Sequence, residues 1–170
     1  MAKTKKCVGL TVYIAGPLFT QAERTWNAEL AKWLRGIGYQ VVLPQEAAEE
    51  MLAEKASFDS QALFDNAVKG IEAADLVIAV LDGPDPDSGT SWECGYAWKS
   101  GTPIMGVRTD LRPGGDDISR PVNLMLARSC RDFLIVAASK RTAQAVANQI
   151  NAVIKGSFSL RGASVESSST

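Results

Sequence analysis

The densest run of chemically capable side chains is Asp82-Gly-Pro-Asp85-Pro-Asp87-Ser-Gly89-Thr90-Ser-Trp92-Glu93-Cys94-Gly-Tyr96-Ala. It follows a strongly apolar run and leads into a helical pattern, so its carboxylates stand where a strand hands over to a helix. Glu93 falls in about the first turn of that helix, near the positive end of the helix dipole. That position favours the ionised carboxylate a nucleophile needs. Asp87 lies earlier, at the loop–helix junction, and can face the same cleft. The plainer reading of these residues is a helix-start acid among solvated turn aspartates. Tyr13, on an earlier strand, can hydrogen-bond a carboxylate at the cleft floor, although a strand tyrosine is by default core. Gly16-Pro17 fits either a phosphate-cradling turn or a tight strand-to-helix turn. A Walker lysine and a G-x-G-x-x-G run are both missing, which weakens nucleoside triphosphate and dinucleotide binding and favours the tight turn. Cys94 adjoins Glu93 and reads as a small buried thiol.

The whole sequence narrows the chemistry further. It contains no histidine, which removes His-based triads, His–zinc sites and imidazole acid–base work, and leaves carboxylates, hydroxyls, Tyr or Cys. Three cysteines, Cys7, Cys94 and Cys130, form no metal-like spacing, so no metal site is expected and the protein reads as reduced and cytoplasmic. A formal net charge of −1 argues against a nucleic-acid binder. Lys3, Lys5 and Lys6 precede a strand rather than a signal-peptide core, and the apolar runs are too short for a bilayer. The 170 residues suit one domain, here 1–156, with a Ser-, Gly- and Thr-containing tail at 157–170 expected to fray.

Elements able to position these residues follow from periodicity. Apolar runs at 10–15, 39–43, 75–81, 103–107 and 133–137 read as strands, and helical patterns intervene at 20–35, 45–53, 60–73, 89–100, 122–127 and 140–154. Alternation of this kind predicts an α/β fold, a five-stranded parallel sheet flanked by helices. Such sheets carry their functional groups at the carboxyl ends of the strands, which points to the loops 16–19, 82–89 and 108–121. Trp26 and Trp33, a heptad apart, are expected in the core of the first helix. Trp92 and Trp98 fit either the cleft or a subunit contact.

Four segments occur in order: Val-Tyr13-Ile-Ala-Gly16-Pro17-Leu-Phe19, then Ile71-x-x-Ala74-Asp75-Leu-Val-Ile-Ala-Val-Leu, then Asp87-Ser-Gly89-Thr90-x-x-Glu93-x-Gly95-Tyr96-Ala97, then Asn123-Leu-Met125. Together they resemble the nucleoside 2-deoxyribosyltransferase family, over roughly residues 10–125. The resemblance implies a flavodoxin-like domain and an enzyme that moves 2-deoxyribose between nucleobases without a cofactor. It implies that Glu93 attacks C1′, that Tyr13 holds Glu93, and that Asp87 helps bind substrate. Gly16, Pro17, Phe19, Asp65 and Gly89 join the expected substrate-binding set. Asn123 and Met125 are implied to complete the site of a neighbouring subunit in a homodimer or dimer-based hexamer. Deoxynucleosides and free bases are then the partners, with neither nucleic acid nor membrane involved.

Two departures stand beside this match. The acidic position that helps protonate the leaving base in several members falls on Ala67, with Asp65 and Asn66 close by. The tail has no aromatic after Phe158 to contact the sugar. The nearest rival is a hydrolase of the same superfamily acting on deoxynucleoside 5′-monophosphates. Such relatives carry a Ser- and Gly/Arg-rich first loop for the phosphate. Here that loop is apolar, with no cation before Arg24, which favours the free nucleoside. A non-catalytic nucleotide-binding module is a more distant alternative, disfavoured by the joint presence of Glu93, Asp87 and Tyr13.

Overall fold

Short β-branched and apolar runs bounded by turn residues become strands here, and where both faces are covered the runs are continuous rather than alternating. The structure, a computed structural model, describes residues 9–55, 59–112, 114–115 and 121–163. Its strands are β1 Thr11–Ala15, β2 Gln40–Val42, β3 Leu76–Val80, β4 Ile104–Arg108 and β5 Asp132–Ile135. All pair in parallel in the order β2-β1-β3-β4-β5. Every residue of β3 and β4 is buried, as befits the centre of the sheet.

The helices are α1 Gln21–Ile37, α2 Pro44–Lys55, α3 Ser60–Ala73, α4 Ser88–Ser100, α5 Leu124–Ser129 and α6 Ala143–Ala163. Thr20 and Glu23 form a capping box at the start of α1, and Gly38, with φ 112°, ends it in a left-handed turn. Alternate residues of β1 enter opposite layers. Val12 and Ile14 pack with Leu30 and Leu34 of α1 and Val146 and Ile150 of α6. Tyr13 and Ala15 pack with Ile71 of α3 and Cys94 and Ala97 of α4. The chain leaves β1 toward β2 on one side and returns to β3 on the other, so the order reverses between β1 and β3. A crevice opens outside the carboxyl ends of strands at such a switch point. No helix among the described residues is long and apolar enough to cross a membrane.

Several boundaries differ from expectation. α5 begins at Leu124 because Asn123 is its N-cap, whose side chain accepts from Met125 N. α6 runs on to Ala163, so residues 157–163, expected in the frayed tail, continue the helix; 164–170 lie outside the described residues. A short 3-10 helix, Ala138–Lys140, was not anticipated. Trp26 does pack against the core, but Trp33 is exposed, a correction to its expected core position. The buried stripe of α1 is centred on Asn27, Leu30, Ala31 and Leu34, and at 100° per residue both tryptophans fall on its flank.

Candidate active site

Tyr13 and Glu93 meet across the layer between β1 and α4. The Tyr13 ring is fully buried, and its hydroxyl donates to Glu93 Oε1 at 2.5 Å. Glu93 lies in the second turn of α4 rather than the first, and dipole effects fade beyond the terminal turn. The expectation that its position favours the ionised form is therefore corrected. Burial pushes the carboxyl up to about 7, the Tyr13 hydrogen bond pulls it down, and the nearby Asp87 charge pushes it up again. Tyr13, desolvated and facing Glu93, is pushed well above the usual phenol range and stays a donor.

Asp87 is the N-cap of α4. Its Oδ2 accepts from Thr90 N at 2.8 Å and from Thr90 Oγ1 at 3.1 Å. Gly89 lies against this carboxylate, since a Cβ there would stand 3.1 Å from Asp87 Oδ2. The loop leading to Asp87 is clamped reciprocally to β4. Arg108 is 1% exposed and donates to Leu81 O, Gly83 O and Arg112 O at 2.5, 2.9 and 2.6 Å. In return Asp82 Oδ1 accepts from Thr109 N and Asp110 N at 2.5 and 2.9 Å. A charged residue at the end of a strand gives no sequence signal of such burial, and reading 108–121 simply as a polar loop missed it. Of that loop, 113 and 116–120 lie outside the described residues.

The β1–α1 turn is tight. A Cβ at Gly16 would lie 3.3 Å from Val80 Cβ, and Pro17 O accepts from Asn27 Nδ2 at 2.8 Å. Phe19 is 76% exposed. The amides of Phe19 and Thr20 donate to Glu23 Oε2 at 3.0 and 2.7 Å, so the donors that open α1 are taken by an internal carboxylate. Arg24, the first cation after the turn, is ion-paired with Glu49. Gln45, unanticipated as a site candidate, is buried where β2 ends. Its amide donates to Arg24 O while Oε1 finds no partner. The only sequence hint is a polar residue directly after the strand-ending Pro44.

Asp65 sits exposed on α3 and accepts from Gln61 Nε2 at 2.9 Å, and Ala67 follows two residues on. Asn123 and Met125 lie elsewhere. Met125 shares an apolar groove of about 250 Å³ with Ser91, Gly95 and Trp98 of α4, and helical periodicity puts those residues opposite Glu93 on α4. The structure thus brings Tyr13, Glu93, Asp87 and Gly89 to one place and holds Met125 behind the helix. Trp92 stacks on Tyr96 and tilts against Phe64, an aromatic ridge between α3 and α4. Among the described residues no group of three His, Cys, Asp or Glu could hold a metal ion.

The model of the family described as nucleoside 2-deoxyribosyltransferase matches residues 12–125, more than half of the chain. The chain belongs to this family. The matched span takes in Tyr13, Asp87, Glu93, Asn123 and Met125. Among solved structures, a conserved protein from Enterococcus faecalis V583 superposes with a TM-score of 0.64 at 27% identity, over 84% of this chain and 99% of that one. The 2-deoxyribosyltransferase of Bacillus psychrosaccharolyticus gives 0.61 at 25%, over 73% and 85%. The 2-deoxyribosyltransferase from Leishmania mexicana gives 0.57 at 25%, over 73% and 89%. No curated protein sequence matches the chain. Nucleoside 2-deoxyribosyltransferase membership and the α/β sheet agree with the resemblance read from the motifs. The family is one of enzymes, the nucleoside 2-deoxyribosyltransferases.

Proposed function

We propose that the protein transfers 2-deoxyribose from a 2′-deoxynucleoside to a free purine or pyrimidine base through a covalent bond to Glu93. The observation that carries this reading is the buried Tyr13–Glu93 hydrogen bond at the switch-point crevice. Tyr13 fixes Oε1 and leaves Oε2 for the sugar. Oε2 attacks C1′ as the C1′–N bond breaks, and the electron pair goes to the leaving base, which takes up a proton. The carboxylate stabilises the oxocarbenium-like transition state before trapping it as an ester. A ring nitrogen of a second base then attacks C1′ from the vacated face and loses its proton, and the C1′–O bond breaks to return the carboxylate. Two displacements give net retention. Asp87, with Oδ2 occupied by its cap, offers Oδ1 to the substrate. Gly89, Gly16, Pro17, Phe19 and Asp65 line the approach.

Transfer from the free nucleoside is favoured over hydrolysis of a 5′-monophosphate by the β1–α1 turn. A phosphate would look for amides and a cation there, but Glu23 holds the amides and Glu49 holds Arg24. Asn123 and Met125 serve a neighbouring copy in this reading, since Met125 lies behind α4, away from Glu93 of its own chain. Incubation with deoxyinosine, with and without adenine, tests the activity. Deoxyadenosine formed only when adenine is present supports transfer, whereas free deoxyribose in both tubes means hydrolysis. Glu93→Ala should lose several orders of magnitude of exchange and the deoxyribosyl adduct that mass spectrometry should find on the Glu93 peptide of the wild type. Full activity in Glu93→Ala would end the mechanism.

A further inference from the structure

Glycine is among the least favourable residues for a helix interior, and Gly70 lies within α3, four residues before its C-cap Ala74. No backbone demand explains it, because the left-handed glycines are Gly9, Gly38, Gly83 and Gly101 and Gly70 is not among them. Space does explain it. A Cβ at Gly70 would stand 3.0 Å from both Cδ2 and Cε2 of Tyr13 and 3.1 Å from Val42 Cγ1. By contrast, Cβ atoms at the helix glycines Gly36, Gly95 and Gly156 would meet nothing within 4 Å, and one at Gly89 would meet only the carboxylate of the cap Asp87. The Tyr13 ring has little room to yield. It is fully buried between sheet and helices, and its hydroxyl is fixed on Glu93 at 2.5 Å.

We propose that Gly70 is a positioning residue, kept small so that the Cδ2–Cε2 edge of the Tyr13 ring can lie against α3 and its hydroxyl stand on Glu93. The inference rests on Glu93 being the reacting carboxylate. A methyl group at 70 presses on the ring edge, and the ring can relax only by sliding toward α4 or tilting, which lengthens or bends the hydroxyl–carboxylate bond. Losing alignment weakens a hydrogen bond steeply. Because that bond favours the ionised carboxylate, loosening it holds the proton on Glu93 to higher pH.

The test is a kinetic cycle of Gly70→Ala and Tyr13→Phe, with kcat/KM for base exchange measured across pH. Gly70→Ala should lower kcat/KM about tenfold, the scale of one charge-assisted hydrogen bond, and move the acid limb to higher pH. In the Tyr13→Phe background the same alanine should cost almost nothing, since the bond it disturbs is already gone. Equal losses in both backgrounds, or a lowered rate with an unmoved limb, would reduce Gly70 to ordinary packing and overturn the proposal. If Gly70→Ala does not fold, Val42→Ala in the same chain relieves the second contact and leaves the tyrosine contact to be read. An active Glu93→Ala control would instead overturn the reaction reading.

Discussion

At the scale of the residue, the centre is a carboxyl group whose proton is finely placed. Burial raises Glu93 to about 7 while Tyr13 lowers it and Asp87 raises it. If the ionised form reacts, kcat/KM should climb as pH rises through about 7. The two neighbours then predict opposite displacements. Tyr13→Phe removes the lowering bond and should shift the acid limb to higher pH; Asp87→Asn removes a like charge and should shift it lower. A pH–rate series on both variants checks this, and displacements in the same direction would refute it. The same burial acts on stability. Glu93 binds its proton below about 7 in the folded protein and below 4.5 when unfolded. Between these values the folded state holds the extra proton, so this group's contribution to stability falls as pH rises through that window and is flat outside it. Glu93→Gln, which needs no ionisation, should therefore gain up to about 3 kcal/mol over wild type at pH 8 relative to pH 4. Urea denaturation at the two pH values measures the difference.

At the scale of the element, α4 and α1 show where sequence reading succeeds and where it stops. The run Leu76–Val80 is legible because a strand covered on both faces must be apolar throughout, and burial of every residue bears that out. The start of α4 is legible because a loop rich in Asp and Pro gives way to a helical pattern, and Asp87, expected at the loop–helix junction, is its cap. The proton affinity of Glu93 is not legible because its burial and its Tyr13 partner on β1 are tertiary facts. Trp33 was misplaced for a related reason. Heptad spacing fixes that two residues share a flank, but which flank faces the sheet is decided by Leu30 and Leu34. Arg108 shows a third limit, a guanidinium turned inward on backbone carbonyls of the loops after β3 and β4, with no cue for it in the sequence. Helix α1 supplies this scale's prediction. Glu23→Ala removes the reciprocal half of its capping box, which should cost about 1 kcal/mol of stability. It also frees the Phe19 and Thr20 amides. Deoxynucleoside 5′-monophosphates should then compete better against the free nucleoside, seen as a lower inhibition constant; an unchanged constant would mean that the 5′ end binds elsewhere.

At the scale of the whole molecule, the helices α3 to α5 leave large apolar side chains exposed. Phe64, Trp92, Trp98 and Met125 all stand open along α3, α4 and α5. Exposed apolar side chains of this kind are a natural place to test the proposed second copy, because Met125, proposed to serve a neighbouring site, lines the groove beside Trp98. Mixing inactive Glu93→Ala with Asn123→Ala under subunit exchange should restore part of the activity, since some mixed pairs hold one intact centre. Asn123 also caps its own helix, and if capping is its whole role the mixture will be no better than its parts. The placement of the indoles lets light follow that exchange. Trp92 and Trp98 lie on the open face, whereas Trp26 packs within. An assembled protein shields the two outer rings from water and a separated one wets them, so dilution should redden the emission of the native fold without unfolding it. The proposed association would thus be read from the chain's own emission, with no label attached.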